Sequence, residues 1–96
     1  MSQVFEIEKD PNSDLDYGFD WSDWLVDGAA IASSEWLVDD GLDDHDAGVT
    51  GAITVVWLAF SGTIRQAPYK ATNRVTDDST PPRTDDRTWF ITIKQR

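Results

Sequence analysis

The apolar and polar residues of this chain alternate in short runs, a pattern that predicts strands. The longest apolar run, Ala52 to Phe60, lies between Gly51 and the Ser61-Gly62 pair. Its β-branched residues Ile53, Val55 and Val56 favour an extended backbone. In a strand, Ile53, Val55, Trp57 and Ala59 share one face, and Thr54, Val56, Leu58 and Phe60 share the other. The alternation stops after Thr54, leaving both rows apolar toward the end of the run. A strand with one wet face keeps alternating. This one is therefore either buried on both faces or covered on one of them by another chain.

The flanking sequence supplies further strands. Phe5 to Lys9 alternates and predicts a first strand, so residues 1–10 form either this strand or an N-terminal arm. Asp10-Pro11-Asn12-Ser13-Asp14 ends it as a turn. Tyr17, Phe19 and Trp21 alternate next. Asp20 is suited to cap a helical turn over residues 21–26 that Gly28 stops, which sets Trp21, Trp24 and Leu25 on one side. Ile31 to Val38 is a strand in which a bulge at Ser33-Ser34 brings Ile31 and Trp36 to one face. Asp39 to Gly48, with five acids and two glycines, reads as a loop. After a connection from Ser61 to Pro68, Tyr69, Ala71, Asn73 and Val75 share a strand face. Tyr69 stands where β-sandwiches carry a tyrosine corner. Asp77 to Asp85 is a proline-marked hairpin loop. In the last strand Trp89, Ile91 and Ile93 form the core row and Phe90 faces outward. Six or seven short strands, with turn signals about every 8–12 residues, predict an all-β fold. Its form is a single antiparallel immunoglobulin-like β-sandwich over residues 1–96.

Composition and charge narrow the function. The chain has no cysteine, which excludes disulfides and thiolate metal sites. Its longest apolar run falls short of the ~20 residues that span a bilayer, so no membrane insertion is expected. Met1 to Glu6 has neither a basic nor an apolar stretch, and no signal peptide is expected. The net charge is −10, with fourteen acids and one base in residues 1–48 against four acids and seven bases in residues 49–96. Such a chain does not neutralise phosphates, which argues against nucleic acid as a partner. If the fold separated the two halves, copies could stack acidic face to basic face. Five tryptophans exceed the needs of so small a core, and surplus aromatics mark protein interfaces. The interface candidates are Trp57, Val55, Phe60, Phe90, Trp21 and Trp24.

The chemistry-bearing residues are few. Asp10, Asn12, Asp14 and Asp16 are spaced by two, as in calcium loops. An EF-type loop needs glycine at its sixth position and glutamate at its twelfth; here those are Leu15 and Trp21. A loose calcium site there is a lesser reading than a solvated turn, and no cofactor is expected. His45 is the only histidine. The carboxylates around it are expected to raise its pKa without making it a catalyst. No nucleophile with a base, phosphate loop or metal set is present, so no enzyme is expected.

Five segments in order resemble a group of small immunoglobulin-like virion proteins of tailed phages. They are Leu15-Asp16-Tyr17-Gly18-Phe19-Asp20-Trp21-Ser22-Asp23-Trp24-Leu25, Ile31-Ala32-Ser33-Ser34-Glu35-Trp36, Val56-Trp57-Leu58 with Gly62, Tyr69 with Thr72-Asn73-Arg74-Val75-Thr76, and Arg83-Thr84-Asp85-Asp86-Arg87-Thr88. The chain departs from the group after the central strand, where one glycine remains, and at Pro81-Pro82. The resemblance implies a structural virion protein at the tail or neck, an adaptor between tail or fibre components. It would be made in the host cytoplasm and present in several symmetric copies that bind other virion proteins. It also implies that Val56 and Leu58 lie on the core row. A capsid decoration protein is the alternative. A carbohydrate- or cell-surface-binding module stacking sugars on Trp21, Trp24 and Trp89 is the third reading. A first strand belonging to its own domain would favour the adaptor over the decoration protein.

Overall fold

The computed structural model describes residues 3–95; Met1, Ser2 and Arg96 lie outside the described residues. Seven strands form two sheets: β1 (Gln3–Lys9), β2 (Leu15–Asp20), β3 (Ile31–Val38), β4 (Leu42–Thr50), β5 (Ile53–Phe60), β6 (Tyr69–Asp77) and β7 (Thr84–Ile93). One sheet has the order β1-β7-β6-β3 and the other β2-β5-β4. Counting strands A to G, the sheets are A-G-F-C and B-E-D, the immunoglobulin arrangement with the first strand moved to the C-F-G sheet. The expected all-antiparallel pairing has one exception, since β1 runs parallel to β7. No hairpin joins these two strands, so nothing in the local chain constrains their relative direction. β1 thus belongs to its own domain.

The core lies between the sheets. Tyr17, Leu42, Val56, Leu58, Tyr69, Ala71, Ile91 and Ile93 form its main cluster, and Phe19, Trp21 and Val75 form a second. The central strand resolves as one row in and one row out: Thr54, Val56 and Leu58 are wholly buried, while Ile53 and Trp57 are exposed. β6 alternates without a break, with Tyr69, Ala71, Asn73, Val75 and Asp77 inward. The register of β3 shifts between Ile31 and Ser33, and Ile31 and Trp36 both pack on the second cluster. After β2, Trp24 and Leu25 both donate backbone N–H groups to the Trp21 carbonyl, one helical turn. Asp20 Oδ1 accepts the Ser22 N–H at its start, and the Ser22 amide first, then the Ser22 hydroxyl, hold the Asp20 carboxyl below its ordinary pKa.

One predicted loop is a strand. Residues 42–50, which overlap the expected loop at Asp39 to Gly48 from Leu42 onward, form β4 at a sheet edge. Apart from Leu42 this strand buries almost nothing. Its side chains therefore carry no periodic signal, and its ladder with β5 uses backbone groups alone. The acids along it protect an open edge from unwanted pairing. A register shift between His45 and Gly48, with Asp46 at φ 52°, marks a bulge in its middle.

A buried polar network ties the two sheets together. Asn73 Oδ1 accepts hydrogen bonds from Trp21 Nε1 at 2.9 Å and Thr54 Oγ1 at 2.6 Å. Asn73 Nδ2 donates to Ser34 Oγ at 2.9 Å and the Glu35 carbonyl at 3.1 Å. At the opposite end Tyr69 donates its hydroxyl to the Thr63 carbonyl, six residues upstream, at 2.6 Å. Two glycines make room for this ring. A Cβ at Gly41 would stand 2.8 Å from Tyr69 Cε2, and one at Gly62 would stand 2.8 Å from Gly41 Cα. Asp77 fastens the β6–β7 loop, accepting from the Arg83 and Ser79 amides and the Ser79 hydroxyl. The Arg83 amide bond, ahead of the two from Ser79, holds the Asp77 carboxyl below its ordinary pKa against the opposing effect of burial.

Candidate functional site

The outer face of the β2-β5-β4 sheet is built around one apolar row. Ile53, Val55, Trp57 and Ala59 lie along β5, with Ile53 51% and Trp57 37% exposed. Directly paired residues of neighbouring strands share a face. Val55 is therefore flanked by Gly18 of β2 and Gly48 of β4, neither of which has a side chain to cover it. Gly18 could not be larger, since a Cβ there would stand 2.2 Å from the Thr54 carbonyl oxygen. Asp20 and Thr50 flank Ile53, and Asp16 and His45 flank Trp57. The result is an apolar stripe with a mainly acidic rim, the anatomy of a protein interface.

His45 closes one side of the stripe. Its Nδ1 lies 2.7 Å from Asp46 Oδ2, and its Nε2 lies 2.9 Å from both carboxylate oxygens of Asp14. The ring is tilted 31° to the Trp57 ring, with centroids 6.3 Å apart. The Asp46 bond first, then the Asp14 bond, raises the His45 pKa above its ordinary 6.5. A raised folded-state pKa means that the stabilisation is fully present below about pH 6.5 and is lost as pH rises through the folded value. An NMR titration of the imidazole is expected to give a midpoint above 6.5, lowered by Asp46→Asn and by Asp14→Asn. A midpoint unmoved by both substitutions would show that these bonds do not form in solution.

The turn at Asp10 to Asp16 holds a lysine. Lys9 is buried, and its ammonium donates to the Asp10 carbonyl, the Ser13 carbonyl and Ser13 Oγ. Burial lowers the Lys9 pKa, and Asp14 and Asp10 oppose that shift. Asp10 Oδ1 accepts the Asn12 N–H, and Asp14 faces His45. Among the described residues no three Asp, Glu or His side chains converge as metal ligands.

The structure redistributes the remaining interface candidates. Trp21 is a correction: it is wholly buried and its indole N–H is bound within the Asn73 network, so it has no surface to offer. Trp24 is half-buried and packs edge-on to Trp21 at 5.3 Å. Phe60 continues the inner row, half-buried with its ring 5.3 Å from Tyr69, so it is not part of the outer stripe. Phe90 is half-buried on the outer face of the other sheet. Apart from Leu37, which is exposed opposite Thr72, that face is mainly polar, with Thr72–Thr88 and Thr76–Thr84 hydroxyl bonds of 2.9 Å and a two-pronged Arg74–Asp86 pair. Trp36 and Trp89 pack on the core. Trp21, Trp24 and Trp89 thus form no exposed platform for a sugar.

Two arginines that sequence reasoning passed over close one end of the sandwich. The Arg87 guanidinium lies 4.2 Å from the Trp21 ring centroid and donates to the Asp20 carbonyl and Asp23. Arg83 lies 4.7 Å from the Trp24 ring centroid and donates to the Trp24 carbonyl. Both come from the last of the five resemblance segments, both tryptophans come from the first, and Asn73 comes from the fourth. That common origin was the available signal for their meeting.

A small sandwich with an uncovered, acid-rimmed apolar stripe defines a structural binding module. The chain belongs to the family described as podophage GP4 fiber-tail adaptor protein gp77, which it matches over residues 9–92. The family is a structural adaptor of a phage tail, which sets the protein in the virion. No curated protein matches the chain. Among the described residues no helix is long and apolar enough to cross a membrane.

Proposed function

We propose that this domain joins a fibre component to a tail component, and that the Ile53-Val55-Trp57 stripe is one of its docking surfaces. The observation that carries this reading is the placement of the tryptophans. Trp21, Trp24, Trp36 and Trp89 belong to the core clusters or pack against them. Trp57, by contrast, stands outside on a row that none of the described segments covers. Large aromatics at the centre of an apolar patch carry most of an interface's energy. The protein acts by binding and not by catalysis, in several symmetric copies, without contacting nucleic acid. Offered the separated proteins of its own phage tail, the immobilised domain is expected to retain at least one of them. A monomer that retains none would overturn this reading.

A further inference from the structure

The charge around the Trp57 stripe is one-sided. No lysine or arginine occurs between Lys9 and Arg65, so β2, β4 and β5 carry none. On their outer face Asp16 pairs with Trp57, and Asp43 pairs with Ala59, the next residue of the same row. Both aspartates are exposed. Asp14 and Asp46 stand at the same end and share the single imidazole of His45. The bases at the margins are turned elsewhere. The Lys9 ammonium is spent on the Asp10 carbonyl and on Ser13. Arg87 donates to the Asp20 carbonyl at 2.8 Å and to Asp23, which offsets the acids at the Ile53 end. The Trp57 end therefore sets Asp14, Asp16, Asp43 and Asp46 against His45 and an inward-turned Lys9, and stays negative even with His45 protonated.

We infer that the Trp57 stripe takes a basic segment of a different tail protein, an extended run in which an apolar side chain is followed two residues on by lysine or arginine. The inference rests on the reading of the stripe as a docking surface and names what docks there. An apolar side chain fits over Val55, in the gap left by Gly18 and Gly48. Two residues along an extended chain span ~7 Å, which is also the step from Val55 to Trp57. A cation placed there meets the exposed indole and the Asp16 and Asp43 carboxylates together. Charge complementarity selects this occupant. A second copy of the chain does not supply it. Stripe against stripe would oppose acids to acids. The outer face of the other sheet is mixed: Lys70, Arg74 and Lys94 stand among Glu6, Glu8, Glu35 and Asp86, with Arg74 bound to Asp86 and Lys94 3.7 Å from Glu8. The fold thus gives copies of the chain no basic face on which to stack an acidic one.

The test uses the intact domain and a labelled peptide alternating lysine with leucine; the control peptide carries glutamate in place of lysine. The lysine peptide is expected to bind and to shift the signals of Asp16, Val55 and the Trp57 indole N–H, and the glutamate peptide not to bind. D16K/D43K is expected to lower the affinity about tenfold. D16N/D43N, which removes the charge of two exposed side chains without reversing it, is expected to lower it about threefold. E6K/E8K changes the net charge by as much on the other sheet, and is expected to leave the affinity within about twofold of wild type. Equal losses in D16K/D43K and E6K/E8K would show attraction by overall charge alone and overturn the proposal. Equal binding of the two peptides, or no binding of the lysine peptide, would also overturn it. The tail protein that the domain retains is expected to follow the same order of variants. Retention lost in Trp57→Ser but unchanged in D16K/D43K would overturn the choice of a basic partner and leave the adaptor reading standing.

Discussion

Asn73→Ala is expected to lower the melting temperature by roughly 15 °C. The side chain is wholly buried and makes four hydrogen bonds. These reach β3 within its own sheet, and β5 and the residue after β2 in the other. Removing it leaves the Thr54 hydroxyl proton without its acceptor and the Trp21 indole N–H with only a longer bond of 3.3 Å to Thr54 Oγ1, and releases Ser34 and the Glu35 carbonyl. Each unsatisfied buried group costs about 1–3 kcal/mol. With partial relief by entering water the total is about 3 kcal/mol, and a domain of this size loses about 4–8 °C per kcal/mol. Among the described residues the indole N–H groups of Trp36 and Trp89 are also buried without a hydrogen-bond partner. Asn73→Leu restores volume but not the bonds, and is expected to recover only part of the loss. A shift under about 4 °C in a calorimetric scan of Asn73→Ala would show that packing alone ties the sheets.

Trp57→Ser is expected to do the opposite, sparing the fold and weakening attachment. The side chain is on the outer row, and its neighbours there are Asp16 and His45. Truncating an exposed side chain of this kind changes stability by about 0.5 kcal/mol. Truncating a central interface tryptophan costs about 2 kcal/mol or more, or roughly thirtyfold in affinity. Val55→Asp is expected to act in the same direction, because the glycines beside Val55 leave a partner free to press on it. Comparison of melting curves with retention of tail proteins separates the two effects. Equal retention by wild type and both variants would remove the stripe from the account.

Much of the fold was legible in the sequence because burial leaves a period of two. β6 and β7 show it plainly, and the bulge in β3 was visible as two serines interrupting an apolar pattern. β4 was not legible, because an edge strand exposed on both faces has nothing to alternate. The parallel pairing of β1 was hidden for another reason: its partner lies some eighty residues away, and no turn between them encodes a direction. The surplus of tryptophans misled in part. Five indoles seemed too many for one core, yet a sandwich end closed by Arg83 and Arg87 accommodates Trp21 and Trp24 by stacking cations on them. The burial of Lys9 was not legible either, since nothing in a lone base among acids announces that its ammonium closes the turn that follows it. The outer row of β5 was named correctly by residue, but its neighbours His45, Gly18 and Gly48 are brought together only by register.

The central claim is that one row of β5 holds the fold and the other holds the tail. The most direct test is a density map of the assembled tail that resolves side chains around this domain. The account predicts Ile53, Val55 and Trp57 covered by a different chain in every copy. Copies held in the tail by other surfaces, with Trp57 open to solvent, would contradict it.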